Sequence, residues 1–547
     1  MKQVSTGGMS FQDIRDRDKY YVDKSLLIKD MLDKGDGDVY LYTRPRRFGK
    51  TTNITMLDAY FNMQYEGNTW FDGLAISEFP EFDRYRNAFP VIYLDLKDAN
   101  PRDYGLFIES LNSIIIRTFK RFDKELSSDV VMRSESLLLD RIYSKKASED
   151  DLRESILTLC EILHRYHGRR SIVLIDEYDR ALTDSFGTET QKMIIDFLSG
   201  FFSTTLKSNR NLQMAYVTGV MQVAKAGMFS GLNNISINNI ASTTSDERFG
   251  FTEAEVRDIL GYYGHQDSFD DVRAWYDGYR FGDAEVYNPY SVMLYVQNGF
   301  RAEGYWTGTS ENVSLRWMIQ RADESNIDKV ITILSGGSIE TELRYDITYE
   351  DMMSLWDTNL YSLMAMTGYL KAEPTDSKTY LISIPNREVK EDLERILTNN
   401  KPVMGSKLFV EFCSSLLDMR TEPMETVLNR LLTSGNYLNL NREYAYEILL
   451  MTILKGTLAE SHDVRTERQE GNGRTDIVLT PLKGGSPPII IELKTADAID
   501  KLDTAVEDAI RQIHDRRYYN GMKGRVVLYG IAFCGVVSKV GAEILDL

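Results

Sequence analysis

The sequence is poor in the residues that staple or anchor a chain. Three cysteines occur in 547 residues, Cys160, Cys413 and Cys534, far apart and each among apolar neighbours. That excludes a disulfide framework and a cysteine-ligated zinc site, and fits core thiols in a reducing compartment. The five histidines have no metal-ligand spacing; His164 and His167 share a predicted helix and read as surface or capping groups. Prolines number only 12 and there is no low-complexity tract, so the whole chain reads as folded. No apolar run approaches the roughly 20 residues needed to cross a bilayer, and the opening MKQVSTGGMS has no signal core, which predicts a cytoplasmic protein with no membrane contact. An excess of positive charge is also missing: 64 Lys and Arg face 82 Asp and Glu, a net charge of −18. A basic coat is excluded, and any nucleic-acid contact must come from local patches working against the overall field.

What is present is length and two separated constellations. The length exceeds what one core can serve and predicts three or four domains. Residues 39–53, VYLYTRPRRFGKTTN, open with a short apolar run that reads as a buried strand. They then turn through Arg44-Pro45-Arg46-Arg47-Phe48 into Gly49-Lys50-Thr51-Thr52 and a helical pattern. A helix N-terminus offers free backbone N–H groups and partial positive charge, so this turn predicts a polyphosphate cradle. Lys50 reaches the outer oxygens and the Thr51 hydroxyl ligates Mg²⁺, while Arg46, Arg47, Phe48, Gly49 and Thr52 line the cradle. Against the usual G-x-x-x-x-G-K-[ST] pattern the first glycine is replaced by Arg44.

Support comes from 171–180, SIVLIDEYDR, an apolar strand ending in adjacent acids, as expected at the C-terminal end of a central parallel strand facing a nucleotide. Asp176 is assigned to the Mg²⁺ shell and Glu177 to the attacking water. Further strands are predicted at 89–96, with Asp95 near its end, and at 212–220, whose Thr218 is a candidate γ-phosphate sensor. Tyr20 and Tyr21 either stack on the adenine or pack as core. The order of strands and helices predicts a parallel sheet covered by helices.

YYVDKSLLI, RPRRFGKTTN, LIDEYD, VTGVMQVAKAGMFSGLNN and WYDGYRFG…VYNPYSV together resemble the bacterial AAA-ATPase-like proteins that carry a restriction-type nuclease fold at the C-terminus. The resemblance spans nearly the whole chain. It implies ATP binding, and it makes Arg-Pro-Arg-Arg-Phe-Gly-Lys-Thr that family's own form of the phosphate loop. Arg280 and Lys225 are lid candidates for nucleotide contact; Arg46 and Arg47 either act in cis or reach a neighbouring subunit, so an oligomer is allowed. Residues 228–234 and 275–282 are dense in aromatics and glycine and read by default as a tight turn packing a lid on the sheet. From 301 to 435 the pattern is mainly helical, with a helix ending at Gly368 and a strand at 380–384 that fit the tail of a winged helix.

The second constellation is at the C-terminus. Residues 441–456 read as an amphipathic helix with Glu443 and Glu447 on one face. GNGRTDIVL then brings in Asp476 on a strand, and PIIIELK places Glu492 and Lys494 on one side of the next. This D…E-x-K spacing resembles the PD-(D/E)xK nuclease fold, from about Arg442 to the end. Asp476 and Glu492 converge as oxygen ligands for Mg²⁺ or Mn²⁺, with Glu447 or Glu443 approaching from the helix. Lys494 orients or activates water and stabilises phosphorane charge in phosphodiester hydrolysis. Gln512 corresponds to a glutamine that the family often places near this centre, and Arg511, Arg516 and Arg517 offer charge for a backbone phosphate.

The expected fold class is α/β: a P-loop NTPase parallel sheet with a helical lid and connector, then a smaller α/β restriction-endonuclease-like domain. The expected domains are 1–300, 301–435 and 436–547. The leading reading is an ATPase coupled to a metal-dependent nuclease acting on DNA or RNA. Its rivals are a nucleotide-dependent switch or scaffold whose nuclease-like domain binds without cutting, and, more weakly, a nucleotide kinase.

Overall fold

The computed structural model describes all residues except 35–38, 208, 223–234, 307–312, 320–321, 323, 335, 349–350, 352–356, 377, 399–406, 435–442, 459–460, 471–472 and 483–485. Lys225 and the turn at 228–234 therefore lie outside the described residues, as does the side chain of Glu443. The chain forms two compact units. The first is Met1–Leu315 with Thr341–Tyr380 and Pro385–Val389; the second is Arg316–Glu340 with Leu381–Ile384 and Lys390–Leu547. Residues 301–435 are thus shared between the two.

The first unit is built on a five-stranded sheet of β1 (Val39–Thr43), β2 (Val91–Asp95), β3 (Ser171–Asp176), β4 (Leu212–Gly219) and β5 (Ile235–Asn238), in the order β2-β3-β4-β1-β5. Every pairing is parallel. Parallel strands need crossover connections that cover both faces, so their sequences run apolar without alternation. VYLYT and SIVLID are buried at every position. The helix Lys50–Phe61 follows β1 and is itself buried almost all round, including Asp58, which accepts from Asn62 Nδ2 at 2.8 Å. The C-terminal ends of β1 and β3 are therefore brought to one edge, with β4 between them.

Beyond β5, the aromatic-rich segment becomes a small hairpin, β6 (Tyr279–Phe281) with β7 (Ala284–Val286), followed by the helix Pro289–Gln297. A satellite core of Val256, Ile259, Phe269, Tyr276, Tyr287 and Val292 holds this region together. Three short strands, β8 (Ile339–Glu342), β9 (Lys371–Pro374) and β10 (Thr379–Ser383), lie in the shared stretch, with the helix Asp357–Thr367 before β9.

The second unit carries a mixed sheet of β11 (His462–Glu470), β12 (Gly473–Pro481), β13 (Ile489–Thr495), β14 (Arg525–Cys534) and β15 (Val537–Asp546), ordered as in the chain. Only β13 and β14 pair in parallel, and the helix Leu502–Arg516 makes the crossover between them. The helices Lys407–Leu417 and Thr421–Ser434 pack on this sheet. Tyr529 Oη donates to the Leu416 carbonyl at 2.6 Å, and Ser538 Oγ to Asn429 Oδ1 at 2.8 Å.

Candidate functional site

The turn after β1 takes its positive φ angles at Arg47 (+72°) and Gly49 (+83°), and the helix begins at Lys50. Arg44 is not among them, so the position where the usual pattern has glycine makes no demand for one here. Instead the Arg44 side chain is wholly buried. Its guanidinium donates to the carbonyls of Thr43 (2.8 Å) and Asn238 (3.2 Å) and to Asn238 Oδ1 (2.6 Å), and stacks over Phe249 and Phe281. Burial lowers its pKa to about 10. Arg44 thus ties β1 to the edge strand β5, a structural cation behind the loop. Phe48 is likewise a packing residue: its ring lies edge-on to Tyr279 and Phe281 of the hairpin.

Lys50 is 4% exposed, and its ammonium donates to the carbonyls of Arg44 (3.1 Å) and Pro45 (3.0 Å). Burial lowers its pKa, opposed by the charges of Glu177, Asp176 and Asp179. Thr51 Oγ1 donates to Asp176 Oδ2 at 2.9 Å across 125 residues of sequence. The loop and the acidic strand therefore meet at one point. Burial, then the charge of Glu177, pushes the Asp176 carboxyl up to about 7. A hydroxyl and a carboxylate held this close, beside a buried ammonium, form a donor set that fits a magnesium-bound phosphate.

Glu177 adopts a left-handed backbone (φ +54°), a conformation costing about 1–3 kcal/mol in a non-glycine residue, and its N–H donates to Asp176 Oδ1 at 3.0 Å. The turn then delivers Asp179, a residue the sequence reading passed over although it stands in the same acidic motif. Asp179 is 1% exposed; Oδ2 accepts from Val220 N (2.9 Å) and Met221 N (2.8 Å), clamping the exit of β4. Burial, then Glu177, raises it to about 6.

These groups open on a cavity of about 400 Å³ lined by Arg46, Arg47, Phe48, Gly49, Lys50, Thr51, Thr52, Asp176 and Glu177. Tyr20, Tyr21, Asp95, Lys97 and Tyr290 also line it. The volume suits a nucleotide-sized ligand. Tyr21 packs on Phe11, and Tyr20 on Tyr262 and Tyr263, so both tyrosines are core aromatics with an edge on the cavity. Asp95 pairs with Lys97 at 2.7 Å. Arg47 stacks over Tyr290 at 4.4 Å, and Arg46 lies 4.0 Å from Asp184. Thr218 is not among the lining residues: it is fully buried, and its hydroxyl donates to the Tyr42 carbonyl at 3.0 Å. Arg280 is not among them either; its Nε donates to the Gly282 carbonyl and closes its own hairpin turn.

In the second unit, the antiparallel register that pairs Ile477 with Ile491 brings Asp476 opposite Glu492. Asp476 Oδ2 accepts from Leu493 N at 2.7 Å. Glu492 is 1% exposed, with Lys494 Nζ at 3.5 Å and the Gln512 amide hydrogen-bonded to Oε1. The same Gln512 Nε2 lies 3.2 Å from the hydroxyl of Tyr518, which burial, then the nearby Glu492 and Asp476, hold above its usual pKa against that hydrogen bond. Tyr518 was missed in the sequence because it follows the helix after a left-handed Arg517 (φ +52°), outside any helical period. Glu447 is half-buried on the helix Glu443–Leu458, and among the described residues, which leave out the side chain of Glu443, no three His, Cys, Asp or Glu side chains form a group able to hold a metal. Arg511 pairs with Asp508 at 2.9 Å on the exposed face of its helix.

Comparison with known proteins finds likenesses over nearly the whole chain and over each of the two stretches that carry these groups. A relative from Azotobacter chroococcum mcd 1, described as "uncharacterized protein in vnfD 5′region", is 25% identical over 97% of this chain and 96% of its own length. The solved Aeropyrum pernix ORC2 protein (ADPNP-ADP complexes) is 10% identical, with a TM-score of 0.26 over 68% of this chain and 92% of its own. Drosophila ORC bound to AT-rich DNA and Cdc6 is 9% identical, with a TM-score of 0.18 over 70% and 91%. Likeness at that level carries no argument. Residues 5–229 match the family described as predicted AAA-ATPase, and residues 441–543 match the PD-(D/E)XK nuclease superfamily. The chain joins an AAA-ATPase-like domain to a C-terminal domain of the PD-(D/E)XK nuclease superfamily.

Proposed function

We propose that the first unit binds and hydrolyses ATP with magnesium, and that its nucleotide state controls metal-dependent cleavage of a DNA or RNA phosphodiester by the C-terminal domain. The observation that carries the first half is the Thr51 hydroxyl 2.9 Å from the Asp176 carboxylate, beside Lys50 in the same cavity. Lys50 leaves its two loop carbonyls for the outer phosphate oxygens, and the backbone N–H groups of 49–52 hold the rest. Thr51 and Asp176 would hold the magnesium, which when bound would supply charge neutralisation across the phosphates. Glu177 accepts a proton from the water that attacks the γ-phosphorus as the bond to the β-phosphate oxygen breaks and ADP leaves.

In the C-terminal domain Asp476 and Glu492 supply two carboxylates, the number that Mg²⁺ sites completed by substrate phosphate and water commonly use. Gln512 fixes Glu492, and Lys494 stabilises the charge that develops on the phosphorus oxygens. The reading is tested by calorimetry with MgATP: Lys50→Ala weakens binding at least ~100-fold, the order expected for removing a buried cation from a phosphate site. Unchanged affinity overturns the assignment. For the second half, DNA or RNA left uncut in Mg²⁺ or Mn²⁺, with and without ATP, overturns cleavage.

The second reading, a switch or scaffold that binds without cutting, is favoured by the net charge of −18, which opposes a polyanionic substrate. Metal calorimetry separates the two, because Asp476→Ala removes metal binding from a nuclease and changes little in a scaffold.

A further inference from the structure

The aromatic turn at 275–282, the NPYSV helix start and the segment around 385–389 are not used by the chemistry above, yet one buried carboxylate draws them together. Glu388 is 0% exposed. It accepts from Ser291 Oγ (3.1 and 2.8 Å to its two oxygens) and from the backbone N–H of Trp306 (2.6 Å). Ser291 sits in the first turn of the helix Pro289–Gln297, whose Pro289, Tyr290 and Met293 line the nucleotide cavity. Trp306, also fully buried, donates its indole Nε1–H to the carbonyl of Arg46, inside the phosphate loop, at 3.3 Å.

The same segment is pinned at its start. Asn386 Nδ2 donates to the Asp277 carbonyl at 2.7 Å, and Gly278 (φ +88°) lies so near Pro385 that a Cβ would fall 2.0 Å from the Pro385 carbonyl oxygen. A charge taken fully out of water is retained only with such partners, and here the partners end on the two walls of one cavity.

We propose that Glu388 is a positioning residue for the nucleotide site: through Trp306 it fixes the backbone of the phosphate loop at Arg46, and through Ser291 it sets the lid helix against it. This rests on the reading that the cavity binds ATP. A residue acting on the cradle's backbone changes ground state and transition state alike, so its loss appears in KM more than in kcat.

The test measures MgATP affinity and hydrolysis in wild type, Glu388→Gln, Glu388→Ala, Trp306→Phe, Ser291→Ala and the Glu388→Gln/Trp306→Phe double variant. Trp306→Phe keeps an aromatic ring but removes the indole donor, and remains informative if Glu388→Ala fails to fold. Expected are a rise in KM of about 10-fold for Trp306→Phe, in the range for a lost hydrogen bond to a buried acceptor, with kcat within about 3-fold. Glu388→Gln, which keeps an acceptor for the Trp306 N–H, falls between wild type and Glu388→Ala, and the double variant loses less than the sum of its parts. Wild-type KM in both Trp306→Phe and Ser291→Ala overturns the proposal, and so do losses in the double variant that simply add. Wild type that does not bind MgATP overturns the function proposed above instead, a result distinct from either.

Discussion

The two centres of this chain are assembled in opposite ways. The nucleotide site joins Lys50 and Thr51 to Asp176 and Glu177, more than a hundred residues away, and needs the whole parallel sheet to bring them together. The nuclease-like site draws Asp476, Glu492, Lys494 and Gln512 from two adjacent strands and the next helix. In the first, charge is stored in the dark: Lys50, Asp176 and Asp179 are all nearly inaccessible, and burial opposes their ionisation while the ammonium and the carboxylates favour each other's charged forms. In the second, Lys494 stands a quarter exposed above a buried glutamate. The difference teaches that the first site is a property of the fold, whereas the second is a property of a short hairpin and helix that different surroundings can support.

The largest expected effect that sharpens this contrast is Glu177→Gln. It retains MgATP binding and lowers steady-state hydrolysis by about 10²–10⁴-fold, the span of general-base catalysis; full turnover in that variant removes Glu177 from the chemistry. Lys494→Ala comes next. It lowers phosphodiester cleavage by about 10²–10³-fold while ATP hydrolysis, measured as phosphate release, stays at the wild-type rate. Loss of both activities would break the comparison, since it would make the C-terminal lysine part of the ATP site.

Arg44→Gly, which restores the usual glycine of a phosphate loop, lowers unfolding free energy by about 2–4 kcal/mol, because it leaves a cavity and takes the guanidinium donor from Asn238 O and Oδ1. Denaturant titration measures it, and an unchanged midpoint removes Arg44 from the list of structural residues. The smallest effect lies far from either centre. Asp151 is held below the usual carboxylate pKa by Arg141, with Ser148 of its capping box adding to this. A depressed carboxylate contributes stability above its unfolded value of about 3.9 and loses it as the pH falls further. Asp151→Asn therefore costs about 0.5–1 kcal/mol near neutrality. The cost shrinks in thermal melts at pH 3, and a constant cost across that range contradicts the assignment.

Much of this was readable in advance, for physical reasons. VYLYT and SIVLID announce buried parallel strands because nothing in them alternates, and Lys50, Thr51 and Asp176, picked from the sequence as one group, do line one cavity. Arg44 did not, since a sequence does not reveal which residues of a turn take positive φ; here Arg47 and Gly49 do. Thr218 stands at the expected strand end, but strand side chains alternate, and its hydroxyl is spent on Tyr42. Phe48 lines the cavity as expected, and what the sequence did not show is that its ring is seated by Tyr279 and Phe281, a contact spanning more than two hundred residues. Trp306 and Glu388 carry no motif at all, because a buried hydrogen-bond network is written in three dimensions only.

The first unit is also discontinuous, closing only with Pro385–Val389. During synthesis the phosphate loop leaves the ribosome roughly 340 residues before Glu388, which at about 5–20 residues per second is a wait of about 17–70 s. A truncated product ending near residue 300 therefore carries Lys50, Thr51, Asp176 and Glu177 and still lacks Trp306 and Glu388 behind the loop. A ribosome stalled before that point displays a first unit without Glu388, the buried acceptor of Ser291 and Trp306.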